Sequence, residues 1–559
     1  MNNTSNTLIP ASTANNQVSA AGADTVLVDA TFDQHQLDQA FKPSALPIQE
    51  TVSDLQLESP VSETAQISNP ESVPPEALTG VLVTEAPIFV TFTMPEALID
   101  PVVIDAPPVI PPEVKSISNV ELGWTILSLA WPVMVELLLV YFVEFFDTWL
   151  SGRFGIEATS AIGSAAYTTW LASLMFSMVG IGGAAMVSRA WGAGNRAEAQ
   201  RISNQALLCG SVLGLVFAAV AYSLAPWVSV FLQMKGEQAV IATRYLQFDI
   251  MSYPFLCISL IGSGLLRGTG SMRIPMFVLG SVSVLNMIFS TVFVYGIGSW
   301  KGFGIDGIVM GTILSRFLGA VGIFLTFAWG KAALRLKWSE LRFTSDITPR
   351  LLNVGIPAAL EGVFCWGAHF YFLRIINEIG PVAFASHVVG VQVEGIGVMF
   401  ANALGQATST LVGQSLGASD EKRAMRISRV ACVLVAVTSV VISTTLYLGA
   451  STIFQVMHDD PEVHLMGPPA MKLLAFIELP FCLLMVMTYA LRGAGATRLT
   501  VVLSIFSLYC LRLPFAWLFG VYWQGGLVGA WIGMGIDIYF RAIVLAIIYR
   551  QGKWLKTSV

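Results

Sequence analysis

"LLRGTGSMRI" at residues 265–274 returns, little changed, as "ALRGAGATRL" at 490–499, an offset of 225 residues. Working outward, the same offset carries Pro132 and Glu136 in "WPVMVE" onto Pro357 and Glu361 in "IPAALE", and Gly155 onto Gly380. It also aligns "MVSRAWGAGNRAEAQRIS" (186–203) with "LVGQSLGASDEKRAMRIS" (411–428), without a gap and with seven identities. "GIDGIVMG" (304–311) resembles "GGLVGAWIG" (525–533) at nearly the same spacing. Blocks that keep one order and one offset mark two homologous halves.

Those halves are built for hydrocarbon. The chain is 55% hydrophobic and 12% charged, with a mean hydropathy of +0.69, far from a soluble globular composition. The average conceals two polymers. Residues 1–115 hold two lysines, no Arg, Cys or Trp, and fifteen acids, a net charge of −13; residues 116–559 hold 28 basic against 21 acidic residues. The first segment is rich in Ser, Thr, Pro, Glu and Gln and has too little clustered apolar surface to offset the entropy of ordering it. It reads as a disordered acidic tail, with the Val/Ile/Pro-rich piece at 80–112 as a short docking element.

The remainder holds twelve apolar stretches long enough to cross a bilayer as helices: 120–150, 163–188, 203–224, 245–266, 275–298, 304–330, 351–377, 382–412, 428–450, 471–491, 499–521 and 526–549. The expected fold is therefore an all-α polytopic membrane protein with two six-helix lobes, 116–340 and 341–559. Six is even, so both lobes share one orientation about an axis along the membrane normal. With the tail placed inside, nineteen Lys and Arg fall on inner connections and the C-terminus and five outside. The positive-inside rule then puts both termini in the cytoplasm, in a cell membrane (inner or plasma).

Several functions are disfavoured. There is no HExxH, no paired aspartate within a span and no GxxxxGK[ST] loop, so zinc proteolysis, prenyl transfer and direct ATP drive lack their residues. Nothing calls for a cofactor or for nucleic acid, and the chain reads as a non-enzyme and a monomer in the lipid bilayer. The six cysteines all lie in spans without metal-ligand spacing and read as packing residues.

"FFDTWLSGRFG", "RAWGAGN", "LRGTGSMRIPM", "GIDGIVMGT", "GIPAALEG", "ATSTLVGQSLGAS" and "LRGAGATR", in this order over about 120–550, resemble the multidrug and toxic compound extrusion (MATE) transporters. The resemblance implies a V-shaped pair of lobes that export organic cations and other amphiphiles in exchange for Na⁺ or H⁺. A flippase for lipid-linked saccharide or another lipid, from the wider superfamily, is the alternative. It would need more bases in the spans than Arg316, Arg374, Arg512 and Arg541.

A coupled exporter needs a membrane-embedded group whose charge state changes, and intramembrane acids are candidates by default. On the first helix these are Glu136, Glu144 and Asp147. Glu136 and Asp147, eleven residues apart, return to nearly one helix face, about 16 Å apart along it. Asn286, Ser290 and Thr312 offer oxygens for Na⁺, with Asp147 and Asn286 its direct ligands if Na⁺ is used. The resemblance matches Asp147 to the family's first-helix aspartate, and Asn286 and Thr312 to neighbours in the same pocket. Ser290 departs from branches that carry Asp there. The second lobe offers Glu361, Glu394 and Glu478 for coupling or substrate. Tyr141, Phe145, Tyr167 and Trp366 are the expected lining of a cavity for cationic substrates. His369 and His387 read as packing residues.

Overall fold

The computed structural model describes residues 118–557, apart from 155, 232, 233, 235, 331–333 and 459. The expected tail and its docking element lie outside the described residues. Among the described residues thirteen α-helical segments follow one another: α1 Asn119–Ser151, α2 Ile156–Gly192, α3 Arg196–Phe231, α4 Gly236–Met251, α5 Tyr253–Gly268, α6 Arg273–Tyr295 and α7 Ile305–Trp329 make the first half. The second half has α8 Ile347–Ile379, α9 Pro381–Gly417, α10 Glu421–Met457, α11 Pro461–Gly493, α12 Thr497–Tyr522 and α13 Gly526–Gln551.

Eleven of these are long and apolar enough to span a membrane. The pair Ala239–Met251 and Tyr253–Gly268, bent by 45°, supplies a twelfth. The break falls where Ser252 precedes Tyr253 and Pro254; Pro254 lacks the amide that would continue the α4 ladder. Its counterpart α11 carries Pro480 but runs through unbroken. Several helices are longer than the apolar stretches: α2, α9 and α10 have 37 residues each, about 55 Å at the α-helical rise. Hydropathy finds only the part within hydrocarbon; the polar ends project beyond it.

The 225-residue offset holds in the backbone. α2 and α9, α3 and α10, and the α4–α5 pair and α11 start and stop at matching positions. Turn chemistry repeats too. Asn195 Oδ1 accepts from Glu198 N at 3.1 Å at the start of α3, and Asp420 Oδ1 from Arg423 N at 2.9 Å at the start of α10, each satisfying an orphan donor of the first turn. The glycines of the LRGxG blocks have separate tasks. Gly270 (φ 93°) and Gly495 (φ 77°) take the left-handed turn after the helix. A side chain at Gly268 would meet Ala184 O at 2.9 Å, and one at Gly493 would meet Ser409 O at 2.2 Å. In both halves the motif seats its helix end on the second helix of that half.

α12 breaks the offset. It contains two π-helical turns, Leu508–Arg512 and Leu518–Tyr522, around Leu513–Trp517. A wider turn inserts a residue into the helix. In the first half Gly311 packs on Ser290 N; in the second, Gly533 packs on Ala516 N, so Ser290 matches Ala516 at an offset of 226 while Gly311 matches Gly533 at 222.

The halves interlock at the end that carries Ser118 and Thr557. The start of α1 (Leu122, Ile126, Ala130, Val133) is buried in a core with α9, α10 and α11 of the second half. The start of α8 (Ile347, Leu351) is buried in the core of the first half. Between them α2 and α9 cross, with Ser188 on Gly413. Arg189 Nη2 donates to Ala494 O at 3.1 Å and to Thr557 O at 2.6 Å, and Gln414 Nε2 to Gly268 O at 3.1 Å. Arg189 and Gln414 are repeat partners, so the clasp is pseudo-twofold.

The connection between the halves is itself fastened to α3. Gln200 Oε1 accepts from Arg335 N at 2.6 Å, Asn204 Nδ2 donates to Glu340 Oε2 at 2.9 Å, and Gln205 Oε1 accepts from Thr344 N at 3.2 Å.

Candidate functional site

The repeated Pro…Glu and LRG blocks meet in space. Glu136 on α1 pairs with Arg267 at the end of α5, and Glu361 Oε2 on α8 with Arg492 Nη2 at the end of α11, at 3.1 Å. Thr500 and Ser504 also donate to Glu361, at 3.0 and 2.8 Å. The repeated arginines, Arg267 and Arg492, thus turn inward onto carboxylates. This places Glu136 and Glu361 in matched ion pairs. Removing one partner of a buried pair leaves an uncompensated charge, at a cost of about 3–5 kcal/mol. Glu361→Gln is therefore expected to lower the thermal-unfolding midpoint in detergent well below that of the native chain. Glu361→Gln with Arg492→Met should recover much of the loss, whereas equal instability of single and double variants would show the pair is not the source.

Higher in the first half lies a polar cluster. Asp249 on α4 accepts from Arg316 Nη1 at 2.8 Å and from Thr169 Oγ1 at 2.5 Å, and Arg316 also reaches Ser252 Oγ at 2.6 Å. Thr169 Oγ1 lies 3.3 Å from Tyr253 Oη. Asp147 faces this cluster: Arg316, Asp249 and Glu144 are the charges that act on it. Its Oδ1 is buried without a hydrogen-bond partner.

α6 brings up the next oxygens. A side chain at Gly280 would meet Leu139 at 3.1 Å. α1 and α6, as first and fifth spans, run the same way. Asp147, eight residues beyond Leu139, therefore comes level with Ile288, within a turn of Asn286. Asn286 Nδ2 donates to Thr312 Oγ1 at 3.0 Å and Ser315 Oγ at 3.4 Å, which leaves its Oδ1 buried and unpartnered. Ser290 and Thr312 both donate to Ile308 O, at 3.3 and 3.2 Å. Asp147 and Asn286 thus each present a buried unpartnered oxygen, while the Ser290 and Thr312 hydroxyls keep free lone pairs. That donor chemistry suits a hard monovalent cation.

The second half answers with different residues at the same places. The offset carries Thr169 onto Glu394 and Tyr253 onto Glu478, so a hydroxyl pair becomes a carboxylate pair. Glu478 is fully buried; its Oε1 accepts from Cys482 Sγ at 3.1 Å and its Oε2 has no partner. Glu478 and Arg512 are the charges acting on Glu394. Nearby, Asp537 on α13 is fully buried and accepts from Arg512 Nε at 2.8 Å, Arg541 Nη2 at 2.6 Å and Ser507. His387 Nδ1 accepts from Trp531 Nε1 at 3.1 Å, a packing role.

Asp249 and Asp537 are absent from the sequence-derived set. Both sit in apolar spans, and the signal for them was the arginines. Arg316, Arg512 and Arg541 in mid-span each require a neutralising acid within reach.

Of the expected cavity residues, three stand on the seams between halves. Tyr141 Oη donates to Gln392 Oε1 across α1 and α9 at 3.1 Å. Across α2 and α8, Tyr167 meets Phe370 at 5.8 Å and Trp170 meets Trp366 edge-on at 4.7 Å between ring centroids. The offset relates Tyr141 to Trp366 and Tyr167 to Gln392, so the two seams are one contact used twice. Phe145 is exposed on α1.

The MatE family model matches the chain twice, over residues 132–292 and 357–518, together more than half of it. The chain belongs to the MatE family. The two matches begin at Pro132 and Pro357, the repeat offset again. Among relatives of this MATE transporter is a probable multidrug resistance protein NorM from Thermotoga maritima. It is 28% identical over 447 residues, which cover 78% of this chain and 94% of the relative. A protein named FAD transporter from Shewanella oneidensis is 23% identical over 454 residues, covering 76% and 95%. A crystal structure of a MATE protein in its bent conformation and a solved structure of a MOP superfamily transporter from Pyrococcus furiosus, the latter described as having a binding pocket of reversed polarity, both superpose with a TM-score of 0.73. Both are 20% identical; they cover 79% of this MATE chain and 99% and 100% of their own. The twelve-span, two-lobe architecture is thus shared with solved MATE structures.

Proposed function

We propose that this MATE transporter is a secondary active exporter of organic cations, drugs and other amphiphiles, driven by antiport of Na⁺ or H⁺. In this reading the chain divides into a tail to 115 and lobes at 116–340 and 341–559, works as a monomer, and keeps both termini in the cytoplasm. The observation that carries it is the pair of buried unpartnered oxygens, Asp147 Oδ1 and Asn286 Oδ1, on adjoining helices. A cation or proton taken up there removes a charge that hydrocarbon opposes; its release restores an anion to which a cationic substrate is drawn. Opening alternates between the two faces as the lobes rock. Tyr141, Tyr167, Trp366 and Phe145 would meet the substrate's cationic and aromatic parts.

The names of the relatives support export of drug-like molecules, and the shortage of uncompensated bases in the spans supports cationic over pyrophosphate cargo. The test is ethidium efflux from everted vesicles under an imposed Na⁺ gradient and, separately, an imposed pH gradient. Efflux that follows one gradient supports the reading and names the ion. A native chain that moves no dye under either gradient, but translocates a lipid-linked saccharide, would replace this reading with the flippase.

A further inference from the structure

A groove opens at the end of the bundle that carries Ser118, between the first turns of α1 and of α10. It has a volume of ≈ 710 Å³ and runs from Asn119 to Leu127 on one side and from Arg426 to Leu434 on the other, about 12 Å at the α-helical rise. Gly123 forms the floor: a side chain there would meet Val430 Cγ1 at 3.8 Å and Leu434 Cδ2 at 3.9 Å. The walls are apolar and open, with Val120 70%, Trp124 68% and Val433 63% exposed.

The mouth is basic. Arg426 Nε donates to Asn119 Oδ1 at 2.7 Å, which fixes the guanidinium at the groove's edge, and Arg429 is exposed beside it. Lys422, Arg426, Arg429 and Val433 follow at i, i+4, i+7 and i+11, one face of α10. Among the described residues no carboxylate pairs with Lys422 or Arg429. Glu121, in the first turn of α1, is engaged by Ser118 N at 2.8 Å.

The chain that leads into α1 carries the matching chemistry. Residues 1–115 have a net charge of −13, and the described structure begins at Ser118, at the mouth of the groove. In "DPVVID" (100–105) an apolar quartet stands between two acids. The quartet suits the apolar walls, and the flanking carboxylates suit the two guanidinium groups at the mouth. Thirteen residues lead from Asp105 to Ser118, up to about 43 Å of extended chain, so the connection reaches the whole groove with slack. So short a tether also holds the segment at about millimolar effective concentration, where modest contacts suffice. An anionic phospholipid offers the same charge without the tether. We infer that the segment 100–105 docks in the groove between α1 and α10, its acids on Arg426 and Arg429. α1 opens the first half and α10 belongs to the second, so the docked segment clasps the two.

The experiment uses the full chain in lipid nanodiscs. Residues 1–115 hold no cysteine, so Val103→Cys places a single thiol in the segment and Val433→Cys one in the groove wall. Mild oxidation should join them, read after cleavage at lysine as fragment 43–115 linked to fragment 423–472. Each single variant controls for Cys432. Arg429→Glu changes an exposed position outside the ion pairs described above and leaves the tether unaltered. It should slow the joining by about 3- to 10-fold, and Asp100→Lys or Asp105→Lys added to it should restore the rate. No joining, or a rate indifferent to these charge changes, overturns the proposal. Thiols that stay apart while the full chain retains an anionic phospholipid in native mass spectrometry, lost in Arg429→Glu, would give the groove to lipid and overturn it equally.

Discussion

Asp147→Asn is expected to lower the initial rate of gradient-driven ethidium efflux by about 5- to 150-fold, the range of coupling free energies between linked sites. The reason is local. Asp249 is held by Arg316, Thr169 and the neighbouring hydroxyls, and Glu136 by Arg267, so neither is free to exchange its charge. Asp147 Oδ1 is buried without a hydrogen-bond partner, and among the described residues no arginine pairs with it. Asparagine keeps the shape and removes the charge that calls for a cation. Downhill dye equilibration should persist, because the seam residues are untouched. Vesicle assays on native and variant chains at matched expression decide it. Unaltered gradient-driven efflux would move the coupling wholly to Glu394 and Glu478.

The second large effect concerns the interlocked end of the bundle. A side chain at Gly413 would have its Cβ 2.9 Å from Ser188 Cβ, below the range of about 3.5–4.5 Å for disulfide-bonded cysteines, so the two helices must ease apart slightly for the bond to form. Ser188→Cys with Gly413→Cys should cross-link on mild oxidation and stop turnover, with at least about a tenfold loss, since rocking requires these positions to part. Reductant should restore transport. The readouts are two fewer free thiols than in the reduced protein and the efflux rate, each compared with the single variants, which also controls for the six native cysteines. A fully cross-linked protein that still exports at the rate of the single variants would mean this seam need not open.

The sequence carried most of the architecture because the repeat is written twice in one chain. An offset shared by Pro132, Gly155, the "RIS" ends and the LRGxG blocks aligns whole helices, and hydropathy delimits them. What it could not carry was pairing across the fold. Glu136 and Arg267 are 131 residues apart, and Asp249 and Arg316 are 67 apart; nothing local in either member announces the other. Glu136 and Glu361 therefore looked like exchangeable acids, whereas each has its own arginine. Asp249 is hard to see in sequence because a single acid barely dents the mean hydropathy of a span. The register change in α12 was hidden for a related reason: a π-turn adds one residue without altering composition, yet it accompanies the approach of Arg512 to Asp537.

The fastening of the inter-lobe connection to α3 has a mechanical consequence. Thr344 is bound to Gln205, and α8 begins at Ile347, so three residues of chain, at most about 10 Å when extended, separate the two anchor points. This end of α8 cannot travel further than that tether from the first half. The far end, about 50 Å away along a 33-residue helix, is under no such restraint. In the rocking proposed above, the connection would act as a fulcrum: a displacement of a few ångströms beside α3 would become a swing several times larger at the opposite face, with the short arm of the lever pinned.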